Sequence, residues 1–152
     1  MIAGFSRSLA SAPPLALGLG LGGLIPFIGL TALTVFWPQT WYAYWLTTEL
    51  QYGAVILSFV GALHWGIAVE LGRQAQPVVA RYIWSVLPAL IAWVSLQFPL
   101  WSALQLQAAA LILCYIVDRR MLAEPQVPSW LLSLRLLLTV VAAACLLISS
   151  LV

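Results

Sequence analysis

His64 is the only histidine in the chain, and it stands in a run that carries no charge from Leu50 to Val69. An imidazole at that depth can tie two helices together, ligate a haem iron or pass a proton. Two axial histidines would need a second chain, and a relay would need a second buried titratable group at similar depth. The leading expectation is therefore a neutral imidazole bonded to a neighbouring helix, with a chemical role as the alternative. Asp118, Arg119 and Arg120 close one apolar run, and Arg135 opens the next. An arginine one to two turns inside an apolar boundary needs a carboxylate or a snorkelling path to the interface. Asp118 is the expected partner, and plain flanking charge is the simpler reading of the whole group. Cys114 and Cys145 fall within apolar runs and read as filler, not as a disulfide. Ser58, Ser85, Ser95 and Thr139 offer modest interhelical hydrogen bonds, but none stands with a base and an acid as a nucleophile would require. No catalytic set, metal-ligand set or cofactor is expected.

Gly18, Gly20 and Gly23 match the spacing G-x-G-x-x-G of dinucleotide sites. No strand precedes them and no acid follows before Glu49, so a nucleotide is not expected there. In a membrane, Gly18 and Gly22 have the small-xxx-small spacing that lets another backbone approach, and Pro26 should kink the same helix. Gly53, Leu57, Gly61, His64 and Ala68 share one helical face, narrow at Gly53 and Gly61 and therefore suited to packing.

The elements that must position these groups are set by composition. With 64% hydrophobic and 7% charged residues, the chain is far from a water-soluble domain. Its apolar runs are continuous, which excludes an alternating β-barrel pattern. The runs define about five transmembrane helices, over 14–37, 50–71, 82–97, 101–117 and 130–151, in a single all-α bundle spanning 1–152. One helix through the third and fourth would be about 54 Å long against a hydrocarbon core of about 30 Å, so a hairpin around Pro99 is predicted. Whether that hairpin crosses fully or is re-entrant stays open.

Sides follow from charge. The chain has no lysine, and all six arginines fall on one side of these spans: Arg7, Arg73, Arg81, Arg119, Arg120 and, by snorkelling, Arg135. The other side carries Glu49. The positive-inside rule then puts the N-terminus inside and the C-terminus outside. Trp37, Trp41, Tyr42, Tyr44, Trp45 and Trp101 gather at the outer interface, with Tyr82, Trp84 and Trp130 at the inner one. Trp37, Trp41 and Trp45 recur every fourth residue, as on a short helix lying among headgroups, or else sit on an irregular loop. The start of the chain has the order of a secretory signal and a trace of a mitochondrial presequence. The apolar run is too long for the first, and only about a dozen residues precede it for the second. A multi-pass protein of a bacterial inner membrane is expected.

The segment YGAVILSFVGALHWG from Tyr52 to Gly66 resembles the signature of a family of small uncharacterised bacterial inner-membrane proteins related to mitochondrial transmembrane protein 69. GLIPFIGL from Gly23, SVLPALIAW from Ser85, VDRR from Val117 and SWLLSLRLLLT from Ser129 resemble its further blocks, in order. The resemblance implies no substrate or catalytic residue. It adds Trp65 and Arg119 to His64, Asp118 and Arg135 as candidate polar-site residues, and it is compatible with an energy-coupling membrane. Small-residue faces and the missing reactive set point to a non-enzymatic accessory, assembly or scaffold component, with the lipid bilayer, further copies or a larger membrane complex as partners and no nucleic acid. A small-solute or ion transporter using a cavity near His64 is the alternative, and a haem- or quinone-binding protein a further one. The arginine bias yields a direct expectation: an alkaline phosphatase fused to the C-terminus is active, and a fluorescent protein fused there is dark. The reverse pattern would overturn the odd-span orientation.

Overall fold

The computed structural model describes residues 2–37, 39–72, 78–122 and 127–152. Arg73, counted above among the arginines, lies outside the described residues. Among the described residues there are seven α-helices: α1 Ile2–Ala10, α2 Pro14–Gly22, α3 Ile25–Phe36, α4 Tyr42–Leu71, α5 Val78–Ser95, α6 Leu100–Met121 and α7 Ser129–Ser149. No strand occurs among the described residues. Among them, five segments are long and apolar enough to cross a membrane: Pro14–Phe36, which joins α2 to α3, and α4 to α7. Contacts between helix ends show that they run alternately up and down. The start of α7 meets α1 through Ser133 and Ser8, the start of α5 meets the end of α6 through Arg81 and Met121, and the end of α3 meets the start of α4 through Thr31 and Glu49.

The break between α2 and α3 has a local cause. Pro26 has no N–H to give the carbonyl of Gly22, and its ring crowds that carbonyl. The chain turns through Gly23 and Leu24 with tighter bonds, such as Leu24 N to the Leu21 carbonyl at 3.0 Å. The loosened Gly23 carbonyl accepts instead from Tyr52 Oη of α4 at 2.8 Å, while Phe27 packs edge-on against the same ring at 5.0 Å. The expected kink thus carries its own clasp.

The hairpin around Pro99 is present, with α5 and α6 joined through residues 96–99. At 1.5 Å per residue, α5 with 18 residues and α6 with 22 are about 27 and 33 Å long, which matches a hydrocarbon core. Two boundaries differ from expectation. α4 begins at Tyr42, eight residues before Leu50, and has 30 residues, so Glu49 is inside it. α6 runs on to Met121 and takes Asp118, Arg119 and Arg120 into its last turns. In the tryptophan-rich connection Pro38 lies outside the described residues, and the rest is more regular than a loop. Gln39–Trp41 form a 3-10 turn that leads straight into α4, where Trp45 resides.

α4 occupies the centre and packs on α3, α5, α6 and, more lightly, α7. Its stripe of Gly53, Ala54, Leu57, Val60, Gly61, His64 and Ala68 is buried. At Gly61 the approach to α5 is so close that a Cβ would lie 2.7 Å from the Ser85 carbonyl oxygen and 3.0 Å from Pro88 Cγ. At Gly53 a Cβ would collide with Gln107 Oε1 of α6. Gly18 and Gly22 differ from expectation: within the chain a Cβ on either would meet nothing within 4 Å, whereas Gly20 between them rests against Leu134 and Leu138 of α7. α2 turns its Gly20 edge, not its Gly18–Gly22 edge, to the bundle. Gly61→Val and Gly53→Val are therefore expected to destabilise the purified chain by about 1–3 kcal/mol through overpacking, with Gly18→Val and Gly22→Val close to wild type in the same detergent thermal-unfolding measurement.

Candidate functional site

At the arginine-bearing end, Asp118 comes from the last turns of α6, His64 from α4 two turns before its end, and Arg135 from α7 six residues after its start. His64 and Asp118 are 0% exposed and Arg135 8%. Asp118 Oδ1 lies 2.8 Å from His64 Nε2. Asp118 Oδ2 accepts from Arg135 Nε at 2.8 Å, and Arg135 Nη2 lies 2.8 Å from the same oxygen. A carboxylate only accepts, so the His64 hydrogen that serves this contact is on Nε2. His64 Nδ1 is buried without a hydrogen-bond partner. Three helices thus meet on one carboxyl group. Each charge alone would be costly in hydrocarbon, and their attraction is strongest where water is excluded.

Arg81 was counted from sequence as a flanking charge, but it is 0% exposed. From the first turn of α5 its Nη2 donates to the Met121 carbonyl at the end of α6. The last carbonyls of a helix lack intrahelical donors and carry partial negative charge, so a guanidinium is well placed there. It also offsets the unfavourable position of Asp118 near the same helix end.

A second buried polar group lies at the opposite end. Glu49, two turns into α4, is 0% exposed. Its Oε1 lies 2.9 Å from Thr31 Oγ1 of α3, and its Oε2 lies 2.6 Å from Ser149 Oγ, the last residue of α7. The two hydroxyls are 3.3 Å apart. Nearby, Gln107 Nε2 of α6 donates to Ser95 Oγ at 2.9 Å, and Ser95 Oγ donates to the Ala92 carbonyl at 2.6 Å. From sequence Glu49 is the charge of the outer side, whereas it is folded into α4, and Thr31, Gln107 and Ser149 join it as polar residues that apolar patterning does not distinguish. The signal in the sequence is that Glu49 stands four residues after Trp45 and directly before the apolar run that begins at Leu50, so one helix can carry all three.

The structure brings His64, Asp118 and Arg135 together and leaves the other candidates outside. Trp65 is 52% exposed and stacks edge-on with Tyr82 at 5.2 Å, and Arg119 is exposed on the outer face of α6. Among the described residues no group of His, Cys, Asp and Glu is arranged to hold a metal ion. A cleft of about 380 Å³ between α2, α4 and α7 is lined mainly by apolar residues such as Leu19, Phe59, Leu63 and Leu138, and Arg135 forms part of its wall. His64 and Asp118 do not line it.

Breaking a buried ion pair strands the survivor, so Asp118→Ala and Arg135→Ala are each expected to cost about 3–5 kcal/mol. The double change should cost less than their sum in detergent unfolding, whereas strict additivity would count against pairing. His64→Gln, which can still donate to Asp118, should lose less stability than His64→Leu, for which about 1–3 kcal/mol is expected.

Residues 12–151 match the model of a family described as a protein of unknown function, DUF3429. The chain is 37% identical over 142 residues to transmembrane protein 69 of Xenopus tropicalis, covering 90% of this chain and 53% of that protein. It is 29% identical over 136 residues to transmembrane protein 69 of Mus musculus, covering 88% of this chain and 54% of that protein. The chain therefore spans about half the length of these relatives. No solved structure matches. With five apolar helices, the relatives' shared description and a family match over nearly its whole length, this chain is a membrane protein that belongs to the DUF3429 family.

Proposed function

We propose that the protein is a non-enzymatic accessory or assembly component of a larger membrane complex, seated in a bacterial inner membrane with its N-terminus in the cytoplasm. The observation that carries this reading is the closure of the polar site. The Asp118 carboxyl uses its oxygens on Arg135 and His64 at 0% exposure, which suits a clamp between α4, α6 and α7 better than a site awaiting a substrate. The outward surface adds support: Leu15, Leu19, Ile25 and Phe36 are exposed along α2 and α3, beside Gly18, Gly22 and Gly29, which meet nothing in the chain. Glycine at such positions permits close approach by another helix.

A second reading, passage of a small solute or ion, is favoured by one feature, the presence of Arg135 in the wall of the α2–α4–α7 cleft. One experiment separates the two. The native complex extracted in mild detergent is expected to exceed the size of the isolated chain and to dissociate in Gly22→Leu, although that variant unfolds like wild type once purified. Proteoliposomes of the purified chain should pass no protons or alkali cations. A flux that His64→Gln abolishes, with no complex larger than the chain, would replace the accessory reading by transport.

A further inference from the structure

The Glu49 group raises a question of hydrogens. Three oxygen-to-oxygen contacts close a ring: Glu49 Oε1 to Thr31 Oγ1 at 2.9 Å, Thr31 Oγ1 to Ser149 Oγ at 3.3 Å, and Ser149 Oγ to Glu49 Oε2 at 2.6 Å. Each contact needs one hydrogen, and a hydroxyl donates only one. Thr31 and Ser149 supply two. If Glu49 were ionised, Ser149 would have to choose between its two neighbours, and one contact would join two acceptors.

Charge leads to the same place. Glu49 is 0% exposed, and no basic side chain bonds or pairs with it among the described residues. The described arginines lie toward the other end of the bundle, with Arg81, Arg119, Arg120 and Arg135 around the end of α6 and the start of α7 and Arg7 in α1, which packs against the start of α7. The groups that face Glu49 are Thr31 from α3 and, from α7, Ser149 and the thiol of Cys145, and none of them is a cation. A lone carboxylate taken wholly out of water costs several kcal/mol or more, so the group is expected to hold a neutralising ligand. A metal cation seated among these oxygens would hold them apart. Separations of 2.6 and 2.9 Å are those of direct O–H···O bonds.

We propose that Glu49, Thr31 and Ser149 form a proton-binding site, in which the carboxyl group carries its proton on Oε2 at neutral pH. Glu49 then donates to Ser149, Ser149 donates to Thr31, and Thr31 donates to Glu49 Oε1. All three contacts have a hydrogen, and the ring is uncharged. Among the described residues the buried carboxyls of α4 and α6 differ in their partners: Asp118 meets a guanidinium and an imidazole, whereas Glu49 meets hydroxyls. The inference stands whether the protein is an accessory or a transporter.

Infrared spectroscopy of the purified full chain at neutral pH tests it directly. The protonated-carboxyl C=O stretch should be present in wild type, absent in Glu49→Gln and unchanged in the exposed control Glu70→Gln. Glutamine has the same shape and can keep the hydroxyl contacts, so this variant should fold. As a second readout, dicyclohexylcarbodiimide, which reacts with protonated carboxyls in apolar surroundings, should place its adduct on Glu49 and none on Asp118 by peptide mass spectrometry. A wild-type spectrum without the C=O band would overturn the proposal. So would replacement of the band by carboxylate absorption on adding sodium chloride at constant pH, which would make this a cation site.

Discussion

Excluding water from charge is the constraint on which this bundle is built. A carboxylate, a guanidinium and an imidazole that would each resist entering hydrocarbon do so together, because Asp118 offers Arg135 and His64 a common acceptor. Apolar packing gives little reason for one helix to sit beside another in lipid, since tails are as oily as leucine. Register must come from elsewhere. Here the Asp118 cluster fixes the heights of α4, α6 and α7 against one another, and Arg81 fixes α5 to α6. The glycines of α4 then let the neighbouring backbones close in around that alignment.

The two ends of the bundle solve the same problem differently. At the arginine end, opposite charges meet, and the negative pole of α6 is covered by Arg81. At the other end a single acid is surrounded by hydroxyls from α3 and α7. Between them the interior is filled by Leu50, Leu57, Leu104, Leu111 and Leu146, with Gln107 as a polar inclusion near the second end. The charged members of these groups thus stand toward the two ends of the helices, while the buried polar side chains between them, such as Thr139 at the middle of α7 and Ser85 in α5, are uncharged.

Much of the fold was legible because long apolar runs between prolines and charges have few physical readings, and a turn at Pro99 was required by length alone. Arg135 and Asp118 were legible as a pair since an arginine inside an apolar run must find an anion or the interface. Their link to His64 was not, because nothing in one sequence says which helices of a five-helix bundle are neighbours. Glu49 and Arg81 misled for a common reason. A charge at the edge of an apolar run looks the same whether it ends a helix or is folded into one, and only the packing of α3 or α6 against it decides. The glycines of α2 show the same limit: Gly18, Gly20 and Gly22 are alike in type and spacing, and the side on which α7 lies selects Gly20.

The 30 residues of α4 contain no proline, and that one helix supplies a member of each buried polar group, Glu49 to one and His64 to the other. Fifteen residues separate Glu49 from His64, roughly 22 Å of unbroken helix. An unbroken helix holds its ends at a fixed separation, so the spacing of the two polar groups is set by the length of α4 between them. The hydroxyls that α3 and α7 bring to Glu49 and the carboxyl that α6 brings to His64 are thereby held to one ruler, and a slide of α4 that lengthened the contacts at one end would lengthen those at the other.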